Sequence, residues 1–277
     1  MIDAHHHLWD PAHRDYPWLA GDAMARIRRP YTVDDLRTVT HASGVHATVL
    51  VQTVPDQDET EEFLVTAARE DVIAGVVGWV DLTAPDVADR LARLAELGPL
   101  VGIRHQVEDE ADPEWLLHPD VLRGLAAVGA AGLVYDLLVA PAQVASARKV
   151  AEQLPELRLV LDHAAKPPIA AGEWQPWADG IASLAARDNV ACKLSGLVTE
   201  ADWEQWQIGH LRRYADHVFT SFGADRVLFG TDWPVCELAA AYEVVLDAAV
   251  SLTGPLTDPE RLDVFEHTAK RVYGLIV

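Results

Sequence analysis

The chain opens Ile2-Asp3-Ala4-His5-His6-His7-Leu8-Trp9. On a β-strand alternate side chains share a face, so His5 and His7 point one way and His6 the other. Two imidazoles about 7 Å apart along a strand can converge on one ion, one water or one substrate atom. A bare His-x-His also arises by accident or as the remnant of a tag, so its weight depends on partners downstream. Such partners recur at the ends of short apolar runs: Arg104-His105-Gln106, Tyr135-Asp136, Asp162-His163-Ala164-Ala165-Lys166-Pro167, Lys193 and Gly230-Thr231-Asp232-Trp233-Pro234. An imidazole or carboxylate moves protons, and a guanidinium polarises a carbonyl or clamps a carboxylate. Cores rarely bury such groups unpaired, so a set of them at equivalent positions points to a site.

The elements that must position these groups can be read from the apolar runs. They cover residues 2–7, 47–52, 73–81, 100–105, 132–138, 157–163, 190–194 and 226–231. Many lack polar alternation, as expected of strands covered on both faces in a parallel sheet. Amphipathic segments lie between them, among them 61–70, 85–97, 141–154 and 178–187. A last helix is predicted over 259–273, where Asp258 caps and Pro259 takes the first helical position. Eight parallel strands separated by helices predict an α/β fold, a single (β/α)8 TIM barrel spanning residues 1–277. An open doubly wound sheet is the alternative, but no Gly-rich nucleotide turn follows the first strand. In a barrel the active site lies at the carboxyl ends of the strands, where the polar groups above fall.

Composition narrows the partners. The formal net charge of −21 repels nucleic acid and anionic membranes, so neither is expected as a partner. Cys192 and Cys236 are the only cysteines and do not make a secreted disulfide framework. No uncharged stretch reaches the roughly 18 residues of a membrane span, and no charged leader precedes an apolar run. The expected compartment is a reducing cytoplasm.

The motifs together resemble the amidohydrolase superfamily, in particular its amidohydrolase-2, lactonase-type branch. The resemblance rests on the opening Ile2-Asp3-Ala4-His5-His6-His7-Leu8-Trp9-Asp10, on Val101-Gly102-Ile103-Arg104-His105, on Leu161-Asp162-His163-Ala164-Ala165-Lys166-Pro167, on Cys192-Lys193-Leu194-Ser195-Gly196-Leu197 and on Arg226-Val227-Leu228-Phe229-Gly230-Thr231-Asp232-Trp233-Pro234. It implies an amidohydrolase-type barrel and a hydrolase that opens a lactone, most readily a sugar-acid lactone. It implies that His5 and His7 match the strand-one pair, His163 the strand-six histidine, and Asp232 the strand-eight aspartate that takes a proton from the attacking water. His5, His7 and Asp232 would then hold one divalent metal ion, zinc first, if a metal is bound; metal-free catalysis is the other implied route. Binuclear members use a bridging lysine on strand four and a histidine on strand five. Arg104-His105 and Tyr135-Asp136 stand there instead, so a two-metal centre is not expected.

The expected catalytic residues are therefore Asp232, His163 and Arg104, and the expected substrate contacts His105, Tyr135, Lys166 and Trp9. Each has a plainer reading. Arg104 could pair with a core carboxylate, and His105 faces away if its strand stays regular. Lys166 could be a solvated cation, Tyr135 and Trp9 could simply pack, and Lys193 could form an ion pair inside the barrel. Two rival functions share the motifs: a metal-dependent decarboxylase on the same scaffold, and a noncatalytic metal- or ligand-binding barrel. Sugar identity, ring size and stereochemistry depend on the long loops after the strands, especially 11–30 and 108–118.

Overall fold

The computed structural model describes residues 1–277. Eight parallel strands follow one another around one sheet in sequence order. They are β1 (Ile2–His6), β2 (Ala47–Val51), β3 (Ile73–Gly78), β4 (Leu100–Gln106), β5 (Val134–Leu138), β6 (Arg158–Leu161), β7 (Val190–Leu194) and β8 (Val227–Phe229). Eight helices cover the sheet: α1 (Val33–Ser43), α2 (Gln57–Ala67), α3 (Val87–Ala95), α4 (Pro119–Ala130), α5 (Val144–Gln153), α6 (Trp177–Ala185), α7 (Ile208–Phe222) and α8 (Tyr242–Leu252). The sheet closes where the ends of β8 and β1 meet. His7 N donates to Trp233 O at 2.7 Å and Asp232 N to His5 O at 2.8 Å. Gly230 permits this approach, because a Cβ there would stand 2.6 Å from the Cβ of His5. The predicted (β/α)8 barrel is the observed fold.

Apolar side chains form two layers. The larger lies between strands and helices and includes Leu50, Ile103, Tyr135, Leu159 and Phe229. The smaller fills the barrel with Ile2, Val49, Val77, Val134, Val160 and Leu228. Full burial on both faces explains the continuous apolar runs.

Element ends differ from the pattern-based expectations for local reasons. β3 stops at Gly78 rather than running to Asp81. There Trp79 N donates to the Thr60 hydroxyl at 2.7 Å, which in turn donates to Trp79 O at 3.1 Å, drawing the chain toward α2. The expected terminal helix runs unbroken from Asp258 to Tyr273, with a π-helical turn at Asp263–His267 inside it. No helix is long and apolar enough to cross a membrane.

Candidate active site

A bulge in β1 aims its histidines. Register against β2 shifts between Asp3 and His6, and a bulge re-aims the side chains that follow it. His6 aligns with Leu50 on the outer face, leaving His5 and His7 on the inner one. Asp3 fixes the bulge from behind. Its carboxylate accepts from His5 N at 3.1 Å, from Thr231 N at 2.9 Å and from the Tyr242 hydroxyl at 3.0 Å. It supports the pair and does not reach the cavity.

His163 enters by a different device. The chain leaves β6 through four consecutive left-handed residues, with φ of 50° at His163, 48° at Ala164, 55° at Ala165 and 51° at Lys166. Such a conformation costs about 1–2 kcal/mol per non-glycine residue and persists only where the surroundings over-determine it. Here Trp177 Nε1 donates to Ala164 O at 2.7 Å, and Lys166 N to His163 O at 2.9 Å. His163 Nδ1 pairs with the Ser195 hydroxyl at 2.9 Å. Gly196 passes so close that a Cβ would lie 2.7 Å from that nitrogen. Asp232 also adopts φ of 60°, a region that aspartate tolerates better than most residues.

These devices converge on one point. His7 Nε2 lies 3.4 Å, His5 Nε2 3.7 Å and His163 Nε2 3.9 Å from Asp232 Oδ1. The two strand-one Nε2 atoms are 3.1 Å apart. His7 Nδ1 donates to Val51 O at 2.7 Å, which leaves its Nε2 lone pair facing Asp232. All three rings are held neutral. Burial and the Arg104 charge push His7 down to about 3, and burial takes His163 to about 4. Burial and Lys193 hold His5 well below the usual histidine range. Burial raises Asp232, against the pull of His163 and Arg104.

A divalent ion fits this donor set. Ligand atoms about 2.0–2.1 Å from a tetrahedral ion stand about 3.3–3.4 Å apart. The three edges among His5, His7 and Asp232 measure 3.1, 3.4 and 3.7 Å. Two neutral imidazoles and a carboxylate are the ligands such an ion takes. A second group, His5, Asp162 and His163, also clusters, but its carboxylate is already committed. Arg104 Nη1 donates to Asp162 Oδ2 at 3.0 Å, and Lys193 Nζ lies 2.9 Å from Asp162 Oδ1. Burial alone would raise Asp162; Lys193, His5 and Arg104 hold it well below the usual carboxylate range.

A cavity of about 280 Å³ opens above these groups. Asp232, His163, Arg104, His7 and Lys166 line it, and His5 lies fully buried beside His7 and Asp232. Three expected substrate contacts do not reach it. His105 lies on the outer face because β4 keeps an unbroken register with β5 through Gln106. It stacks on Trp115 with ring centroids 4.3 Å apart, accepts from Trp79 Nε1 at 2.9 Å and pairs with Glu110 at 2.8 Å. Tyr135 alternates outward from Asp136 and packs in the outer apolar layer. Trp9 donates to Ile27 O at 3.1 Å and packs edge-on against Trp18 and Tyr31. Trp18 forms the wall instead. Lys193 sits beneath the site, 2.6 Å from Asp136 and 3.0 Å from His5 Nδ1.

Several lining residues escape sequence reasoning. Glu108 and Trp18 fall in the two loops noted above, and Glu200 and Trp203 in the loop after β7. Gln52 orients Arg104 through its backbone carbonyl, 2.5 Å from Nη2. A loop residue's direction depends on tertiary contacts, and no spacing rule announces it.

Paired histidines on β1, a histidine after β6 and an aspartate after β8 thus turn on one polar cavity at the carboxyl ends of the barrel strands, where (β/α)8 enzymes place their active sites. The chain belongs to the amidohydrolase family, whose family model matches residues 2–275. It is 39% identical to an L-fucono-1,5-lactonase of Burkholderia multivorans over 285 residues, covering 99% of this chain and 96% of that one. A crystal structure of a Burkholderia multivorans amidohydrolase with bound Hepes superposes with a TM-score of 0.95 at 38% identity, covering 99% of both chains. Another, with bound zinc, gives 0.92 at 39% identity and the same coverage.

Proposed function

We propose that the protein opens a sugar-acid lactone by water attack, with Asp232 as general base. The observation that carries this reading is the environment of the Asp232 carboxylate. It faces the cavity, burial raises its pKa, and three neutral imidazoles surround it without a strong donor locking it. A base so placed is free to orient a water and accept its proton. Arg104 and His163 lie at the same floor and would polarise the lactone carbonyl or hold the carboxylate that forms. Asp232, once protonated, returns its proton to the ring oxygen as the acyl–oxygen bond breaks. One divalent ion, zinc by ligand type, would be held by His5, His7 and Asp232 and would supply Lewis acidity and an acidified water.

The cavity favours a neutral polyhydroxylated lactone over a dicarboxylated one. Glu108, Asp109, Glu200 and Asp232 line it against Arg104 and Lys166, and Lys166 is already paired to Glu108 at 2.7 Å. Substantial identity to an L-fucono-1,5-lactonase supports the same class. The test is a pH-indicator screen of a lactone library, run with and without chelator. Proton release from sugar lactones is expected. Carbon dioxide release from carboxylated substrates, with no lactone opened, would favour a decarboxylase and overturn the reading.

A further inference from the structure

Glu200 is a charged side chain of the cavity that the mechanism above leaves without a part. It lies half-buried in the loop after β7, and its backbone is pinned on both sides. Its amide donates to Gly196 O at 3.3 Å and its carbonyl accepts from Ala170 N at 2.9 Å. Its carboxyl group makes no hydrogen bond and no ion pair within the protein. Lys166, whose charge acts on Glu200, is taken by Glu108, with Nζ 2.7 and 2.6 Å from its two oxygens. Burial, with added repulsion from Glu108 and Asp232, pushes Glu200 up to about 7 despite Lys166.

An acceptor that is partly stripped of water and given no donor by its own chain is costly. A ligand that brings donors removes that cost. The walls of the cavity differ around the barrel. Above the His7 and Asp232 floor, Trp18 and Met24 after β1, with Val235 and Leu238 after β8, present largely carbon, and Trp203 adds an apolar face beside Glu200 after β7. Glu108 after β4, Lys166 after β6 and Glu200 after β7 present charge. We propose that Glu200 is a specificity-determining residue, accepting hydrogen bonds from ring hydroxyls of the substrate while the β1–β8 side receives its carbon edge. A carboxylate at that position of the substrate offers no donor, so Glu200 in its ionised form favours a hydroxylated edge over an acidic one. This inference rests on the lactone reading and refines it.

The experiment measures kcat/KM by proton release for six-membered sugar lactones and for unsubstituted δ-valerolactone, in the wild type, Glu200→Gln and Glu200→Ala. The wild type should prefer the hydroxylated ring. Glu200→Ala should cut that preference about 10- to 150-fold, the range for one charge-assisted hydrogen bond, chiefly through KM. Glu200→Gln, which keeps an oxygen without the charge, should fall between. A preference unchanged within twofold would overturn the proposal. So would an equal loss on both substrates, which marks a general catalytic or structural role. A wild type that opens no lactone of either kind would defeat the parent reading itself, an outcome visible before any variant is made.

Discussion

Arg104 Nη1 donates to Asp162 Oδ2 at 3.0 Å, with Asp162 wholly buried and Arg104 open only toward the cavity. Through this bond the cavity floor is continuous with a charged network under it. Lys193 bridges Asp162 and Asp136, and the Tyr273 hydroxyl donates to Asp136 at 2.8 Å from the last helix. Buried charges in such a network are costly to strand, because removing one partner leaves the other unpaired. Arg104 therefore has two duties that a variant must separate.

Arg104→Lys keeps the charge but loses the planar fork that reaches Gln52 O and Asp162 together. A fall in kcat/KM of about 10- to 150-fold is expected from one lost charge-assisted contact. Thermal melts run beside the kinetics decide the assignment. A lowered melting point with unchanged kcat/KM in both Arg104→Lys and Arg104→Ala would make Arg104 a structural partner alone.

At most one divalent ion per chain should be held tightly. Asp162, the carboxylate of the second donor cluster, is occupied by two fixed cations, and these also repel a second dication. Elemental analysis of purified protein should give no more than one equivalent, and two would contradict the assignment. His7→Ala should lower that content, because it removes an imidazole whose other nitrogen is already oriented by Val51.

Glu59 predicts a stability effect that reaches the site. From α2 its carboxylate accepts from Thr53 N at 2.7 Å, from Val54 N at 3.3 Å and from the Thr53 hydroxyl. Thr53 lines the cavity and Gln52 beside it orients Arg104. Glu59→Ala strands these buried donors, at about 1–3 kcal/mol each, and should lower stability and turnover together. Glu59→Gln keeps an oxygen for the two amides and should lose less than about 1 kcal/mol, within the range of one neutral hydrogen bond. Denaturant melts compare them; equal losses would show that the carboxamide cannot serve the clamp.

What the sequence made legible is what periodicity and residue chemistry control. Alternation on a strand placed His5 and His7 together, and continuous apolar runs marked strands buried on both faces. The same rule warned that His105 faces outward, and the unbroken register of β4 keeps it there. Other features have no local signature. Asp162-His163-Ala164-Ala165-Lys166 contains no glycine, yet four of these residues are left-handed, an outcome imposed by Trp177, Ser195 and Gly196 from elsewhere in the chain. Residue type alone points Tyr135 and Trp9 toward substrate, but strand alternation turns Tyr135 outward and packing against Tyr31 and Trp18 holds Trp9 away. Glu200 and Trp18 meet the cavity only because distant loops fold over one rim.

The most direct test of the account is the rate of proton release by purified Asp232→Asn on the best sugar lactone. The amide nearly matches the carboxylate in shape but cannot take the water's proton. The account predicts a folded protein, with circular dichroism like the wild type, whose turnover falls by at least about 100-fold, the lower end for removing a general base. Turnover at the wild-type rate would contradict it.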